Sequence, residues 1–316
     1  MAKQNNQGRA LEYVYLYELE KAIKNVRNVE ITHNSSYAAA KNAYDKVDDD
    51  IKSLFFNGAV VGVAKILELE PLILEKDNDV VRLYIQADSV GKDGDVRDII
   101  IARQDIKWEI GISSKNEHFA VKHSRLSHKL DFGLKWFNIP CSEEYWKAIE
   151  PIFNMLKGGK VKGLTWNDLD DKESDVYYPL LSAFLVEVQK IYREHKDVMA
   201  SAFVEYLVGK FDFYRVVSIS RKKVTKVQPV NIRGMLNRPS KIKKSEIVLP
   251  IAKLPTRIIN IDFKPDSKNT IEMFMDEGWS FSFRIHNAAT KIEPSLKFDI
   301  QAIGLPVEVI TIDCAW

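Results

Sequence analysis

The sequence predicts an α/β fold with a C-terminal, mostly β region. Three observations carry this. Apolar residues recur at helical spacing through 9–28 and 36–70. Three apolar runs then follow between residues 80 and 114, separated by short polar turns. From residue 215 onward, short β-type runs alternate with clusters of Pro, Gly, Asp and Asn.

Each element follows in order. Leu11, Val14, Tyr15 and Leu19 line one face of a helix over 9–28, with charged residues between them. Two more helical stretches are expected at 36–55 and 58–70. VVRLYIQAD (80–88) reads as a strand, and SVGKDGD as a turn carrying two glycines. VRDIIIA is a strongly apolar strand, Arg103-Gln104-Asp105 a polar turn, and IKWEIGISS a further strand. The three form a meander with its middle strand buried. Asn116 to Leu130 has helical period: His118, Lys122, Arg125 and Lys129 make a basic stripe, and Phe119, Leu126 and Leu130 would face the sheet. Residues 157–175 are glycine-rich and then acidic, which suggests a boundary, with domains at 1–165 and 166–316. A long helix is expected from Tyr178 to Gly209. The strands RVVSIS, EIVLPI, TRIINIDF and WSFSFRIHN follow.

Composition bounds the class. The chain has 316 residues, 46% hydrophobic and 28% charged, which is ordinary for a soluble globular protein of one large or two modest domains. Cys141 and Cys314 are far apart and belong to no CxxC pair, so a thiolate zinc site and a disulfide framework are both disfavoured. The N-terminus lacks a signal-peptide pattern, and no apolar run approaches the ~18 residues that cross a membrane. A cytoplasmic protein is expected.

The net charge is only +2, but charge is segregated. Residues 221–244 hold nine Lys or Arg and no acid, whereas 167–175 hold five acids. The basic stretch suits a polyanion.

One constellation carries chemistry. Asp98 precedes the buried strand, and the next strand carries Glu109, Gly111, Ser113 and Lys115 on one face, because side chains alternate with period two. The turn at 103–105 would set Asp98 opposite Glu109 to Gly111. Carboxylates bind hard divalent ions, and a lysine beside such an ion orients water and stabilises a negative transition state. This arrangement resembles the PD-(D/E)xK nucleases, which implies a core of a mixed sheet flanked by helices. The usual spacing is acid, any residue, lysine; here Ser113 stands at the acidic position. Glu109 lies six residues from Lys115, roughly 20 Å along an ideal strand. Sharing one ion would need a bend or bulge at Gly111; otherwise the second carboxylate is Glu12 on the first helix, with Glu117 behind it. The plainer alternative is a solvated edge Asp and an exposed strand Glu.

The run GDVRDIII…WEIGISSKNEHFAVKHSRLS is similar to the HaeIII family of type II restriction endonucleases. So are QGRALEYVYL, LDFGLKWFNIPCSEEYW, YLVGKFDFY and GWSFSFRIHNAATKIEPSLKFDI, so the resemblance spans nearly the whole chain. It implies Mg²⁺-dependent cleavage of double-stranded DNA, at GGCC with a blunt central cut. Asp98, with Glu109 or Glu12, would bind the metal, and Lys115 would orient the attacking water. Ser113, Asn116 and His118 would contact DNA or water, and Lys122, Arg125 and Lys129 would track phosphates.

Two regions suit base contacts. One is the basic segment, with Arg233, Asn237 and Arg238; the other is Arg284, His286, Asn287 and Lys297. A solvated basic loop and a structural His286 are the competing readings. Trp279, Phe281 and Phe283 alternate at strand period and read as core. A different class, a non-catalytic sequence-specific DNA-binding protein on a nuclease-like fold, would explain the cations but not Asp98 and Lys115 on paired strands. No helix-turn-helix, GxSxG, Walker or HExxH pattern occurs, nor a Gly-rich nucleotide-cofactor signature, so no small-molecule cofactor beyond the metal is expected. Neither a monomer nor a homodimer leaves a mark in the sequence.

Overall fold

A computed structural model describes residues 2–87, 94–117, 120–122, 124–241 and 243–316. His118 and most of the SVGKDGD turn lie outside the described residues. The contacts group the chain into two units, residues 1–119, 209–253 and 307–316 in the first, and 120–208 and 254–306 in the second. Both are discontinuous in sequence, whereas the reading above makes one cut after residue 165.

The first unit is a seven-stranded mixed sheet covered by helices. Its strands are β1 (Val29–Ile31), β2 (Val81–Ile85), β3 (Ile99–Arg103), β4 (Trp108–Asn116), β7 (Phe213–Ile219), β8 (Val224–Val230) and β13 (Ile312–Ala315), neighbours in that order. β1·β2 and β4·β7 pair in parallel, and the remaining pairs are antiparallel. Helices α1 (Ala2–Ile23) and α3 (Asp49–Leu69) bury Leu11, Val14, Leu19, Phe55, Val63 and Ile66 against Ile99, Ile101, Ile110, Ile112, Tyr214 and Val216. Because strands alternate, the other face of the sheet presents Asp98, Ser113, Lys115 and Arg215. The expected meander is present as β2–β3–β4, and β3 is buried throughout.

The first helices differ in their bounds. The 36–55 stretch stops at Asp45 in α2 (Ser35–Asp45), and α3 begins already at Asp49. Asn34 caps α2 by accepting the Tyr37 amide, and acids fill the first turn of α3, which favours a fresh helix start.

The second unit is an antiparallel sheet packed with helices. β5 (Ala120–Lys122), β12 (Ser295–Gly304), β11 (Ser280–His286), β10 (Thr270–Met275) and β9 (Ile258–Phe263) are neighbours in that order, and β6 (Arg125–Ser127) also pairs with β12. Helices α4 (Phe132–Phe137), α5 (Glu143–Val161), α6 (Tyr178–Glu194) and α7 (Lys196–Leu207) complete it. The long helix expected over 178–209 is therefore two, broken at His195. Trp279, Phe281 and Phe283 are fully buried core residues. EIVLPI forms no strand: Pro250 and Pro255 lack the amides a ladder needs. Cys141 and Cys314 are buried free thiols. Among the described residues no helix is long and apolar enough to cross a membrane.

The helix expected over 116–130 does not form among the described residues. Its described residues extend β4 and then form β5 and β6, with Lys129 in a turn. Leu126 pairs with Leu296 and Lys122 with Ile300, so strand partners far along the chain outweigh the local helical period. Among the described residues there is no helical basic stripe.

Candidate active site

The register of the β3–β4 hairpin assembles the site. Its turn falls at 104–107, not 103–105. Arg103 is no turn residue: it is fully buried at the end of β3, where it donates to Glu75 at 2.9 Å, to Asp79 at 3.0 Å and also to Asp77. Pairing of Ile99 with Ile112 then sets Asp98 beside Ser113 rather than opposite Glu109 to Gly111. Asp98 Oδ2 accepts the Ser114 amide at 2.8 Å, the Ser113 hydroxyl at 3.2 Å and the Lys115 ammonium at 3.2 Å. Asp98 and Lys115 are thus in direct contact and half-buried, with side chains 22% and 31% exposed. That leaves both reachable by a ligand.

Polar residues continue across the sheet. The Gln86 amide donates to the Asp98 carbonyl, Ser113 pairs with Arg215 on β7, and Arg215 with Gln228 on β8. Arg215 is only 9% exposed, and burial lowers its pKa. At the end of β4, the buried Asn116 Oδ1 accepts no hydrogen bond among the described residues.

Glu109 is held elsewhere. Arg97 Nη1 contacts its Oε1 at 2.8 Å, while Nε and Nη2 of Arg97 grip both oxygens of the buried Asp95 at 2.8 and 2.7 Å. Burial alone would lower the Arg97 pKa, but bonds to Asp95 and the charges of Asp95 and Glu109 outweigh it, and the pKa is raised. The Arg97 stem lies over Gly111: a Cβ there would sit 2.7 Å from Arg97 Cβ and closer still to Cγ and Cδ. Gly111 is therefore a slot for Arg97, not a bulge. The β3–β4 register is regular from Ile99–Ile112 to Arg103–Trp108. Glu109 pairs with Ala102, four residues from Asp98, about 13 Å along a strand. The structure joins Asp98 with Lys115 and leaves Glu109 apart.

Glu12 lines a cavity of about 260 Å³ with Arg9, Ser35, Ser36, Ile85 and Gln86. Gln86 is the neighbour of Asp98, so Glu12 approaches the same end of the sheet. Glu117 is exposed, with φ 52°, beyond β4. No group of three His, Cys, Asp or Glu among the described residues is arranged to hold a metal. The donor chemistry of Asp98 nevertheless fits a hard cation, because all its side-chain bonds to described residues fall on Oδ2 and Oδ1 is left over.

The sequence-derived contact residues divide by environment. In the first unit, Arg233 and Arg238 are exposed; their Nε atoms donate to the carbonyls of Lys210 at 3.4 Å and Gly234 at 3.1 Å. In the second unit, Arg125 pairs with Lys297 and Lys297 with His286, and Arg284 lies two residues before His286. These four therefore share the outward face of the sheet. Burial first, then Arg284 and Lys297, lower the His286 pKa. Lys129 is exposed in its turn. Lys122 instead points inward, donating to the Tyr206 carbonyl at 2.7 Å and standing 3.7 Å above its ring. Asn287 accepts from the Tyr177 hydroxyl at 2.9 Å and donates to Ala289, a structural role.

Sequence reasoning missed Arg215 and Arg97. A lone arginine inside the apolar strand FYRVVSI, and one two residues after Asp95, were the available signals.

An acid and a lysine in contact, half-buried on one face of a mixed sheet, suit chemistry on an anion. The class is that of a site-specific deoxyribonuclease. The chain belongs to the HaeIII restriction endonuclease family, which it matches over residues 8–306. Type II restriction enzyme HaeIII of Haemophilus aegyptius is 48% identical over 314 residues, 99% of this chain and 98% of that protein. No solved structure matches this one. Double-stranded DNA is the partner the family implies, and type II restriction endonucleases generally use a divalent metal.

Proposed function

We propose that the chain cuts both strands of duplex DNA in the cytoplasm by Mg²⁺-dependent hydrolysis on a PD-(D/E)xK-type core, at GGCC with a blunt central cut. The observation that carries this reading is the 3.2 Å contact of Lys115 with Asp98, beside an Asp98 oxygen left for a cation. Asp98 Oδ1 would hold the metal. Glu12 is the better second carboxylate, because it lines a cavity with Gln86, the neighbour of Asp98, whereas Glu109 lies about 13 Å along the strand. When bound, the metal supplies a Lewis acid for the phosphate and an acidified water. The chain's own groups do the rest. Ser113 and Ser114 fix the Asp98 carboxylate so that it need not reorganise during the reaction. Lys115 holds the attacking water by hydrogen bond and offsets charge growing on the phosphate oxygens. Asn116 contacts DNA or water beside it. Arg125, Lys129, Arg284, His286 and Lys297 bind phosphates, and Arg233 and Arg238 read guanines.

The test is a plasmid of known sequence incubated with Mg²⁺ and, separately, with EDTA. Discrete Mg²⁺-dependent bands with blunt ends at GGCC are expected. Intact plasmid in both tubes would leave a binding protein on a nuclease-like fold, and bands mapping to another sequence would discard GGCC alone.

A further inference from the structure

The most basic segment of the chain is held by acids contributed from elsewhere. Residues 231–241 form neither helix nor strand, so their amides have no ladder to satisfy them. Carboxylates do this instead. Asp212, 2% exposed, accepts the amides of Ile232 at 2.7 Å and Arg233 at 2.8 Å on Oδ1, and of Met235 at 2.6 Å on Oδ2. Glu70, fully buried at the end of α3, accepts the Asn237 amide at 2.7 Å and the Tyr214 hydroxyl at 2.6 Å. Glu75 accepts the Lys241 amide at 2.7 Å. Between these grips, Gly234 and Asn237 adopt φ of 74° and 59°, which gives the loop one sharply defined path.

A merely solvated basic loop has no use for buried acceptors, since water satisfies its amides. A loop that must present side chains at fixed positions does, because immobilising it before binding removes the ordering cost from association. Arg233 and Arg238 are the exposed arginines this backbone carries.

We infer that Asp212, Glu70 and Glu75 are positioning residues for sequence recognition, and that they lock the 231–241 loop so that Arg233 and Arg238 meet base edges in one register. This rests on the endonuclease reading above and adds what sets its specificity. Asp212 uses both oxygens, so an asparagine there turns one acceptor into a donor facing an amide. Glu70 differs. Burial pushes its pKa up to about 8, and its Oε2 is buried without a partner, so glutamine is a close substitute.

The experiment compares cleavage efficiency (kcat/KM, with Mg²⁺) on the site mapped from the wild-type enzyme and on a duplex changed by one base pair. Affinity for a random duplex is measured alongside. Asp212→Asn and Glu70→Ala should lower the discrimination about tenfold or more, the range one bidentate base contact supplies. Random-duplex affinity should stay within about twofold, and Glu70→Gln should restore discrimination to the wild-type level. Equal losses on both duplexes, or undiminished discrimination in Asp212→Asn, would overturn the inference. Should those variants fail to fold, Arg233→Ala and Arg238→Ala decide: unchanged discrimination in both also overturns it. A wild-type protein that never cuts removes the endonuclease reading and this inference with it. A wild-type protein that cuts, with variants that discriminate equally well, removes the inference alone.

Discussion

Arg125 and Lys297 stand directly opposite each other on antiparallel strands, two cations where a sheet ordinarily pairs unlike charges. Arg125 is partly relieved by the Ser295 hydroxyl at 3.1 Å and by Glu293 at 3.9 Å. The opposition costs the free protein a few tenths of a kcal/mol, which a bound phosphate chain would offset. Lys297→Ala should therefore weaken binding to every duplex alike and flatten the slope of log affinity against log salt by about one. Fluorescence anisotropy across a salt series reads this. Lys122→Ala should leave that slope unchanged and lower Tm instead, because Lys122 is spent on Tyr206. Equal slopes for wild type and Lys297→Ala would remove this face from the DNA contact.

Asp98→Ala and Lys115→Ala should each abolish cleavage while keeping specific binding. The loss should exceed about a hundredfold, since one preorganised charge supplies on the order of 3 kcal/mol to such a transition state. Gel cleavage beside mobility-shift binding separates the two effects. Glu109→Ala should lose far less activity. A Glu109 variant as dead as Asp98→Ala would return Glu109 to the metal.

Gly111→Ala should destabilise the first unit by about 1–3 kcal/mol, the cost of overpacking. The added methyl meets the Arg97 stem, which is itself fixed by Asp95 on one side and Glu109 on the other. Denaturant unfolding measures this. A second change, Arg97→Ala in the Gly111→Ala background, removes the Cγ and Cδ contacts but leaves a Cβ 2.7 Å away, so it should relieve the clash in part and the two costs will not add.

Stability should depend on pH through Glu70. Its folded pKa of about 8 lies above the ordinary 4.5 because burial disfavours the carboxylate. Between those values the folded protein holds a proton that the unfolded chain has released. This stabilising contribution is complete at low pH and is lost as pH rises towards about 8. Tm of the wild type should fall over that interval relative to Glu70→Gln, whose curve should be flatter. Parallel Tm curves would mean that Glu70 is ionised in the fold.

Much of the site was legible from local pattern alone. Period-two alternation sets Ser113 and Lys115 on one face, and a polar turn between apolar runs joins their strand to that of Asp98. The register was not legible, because it depends on Arg103 being buried among Glu75, Asp77 and Asp79, acids from a preceding segment. Nor were β5 and β6: residues 116–130 carry a genuine helical period, and only the pairing of Ser127 with Ser295 and Lys122 with Ile300 makes them strands. The acids that hold the basic loop were equally hidden. Asp212 and Glu70 are unremarkable single letters until the chain returns to them. Arg97 was passed over because Gly111 suggested a kink in β4, whereas its missing side chain is room for another residue's.

The parallel pairing of Gly111 with Phe213 joins strands separated by the first segment of the second unit. Closing a loop of about a hundred residues costs roughly 4 kcal/mol of chain entropy before any contact repays it. The β3–β4 hairpin that joins Asp98 to Lys115 needs no such closure. Local geometry can thus be acquired early in folding, whereas Arg215 and the loop held by Asp212 arrive only with β7. A refolding chain should regain the hairpin first and cutting last, so partly folded protein is a poor nuclease.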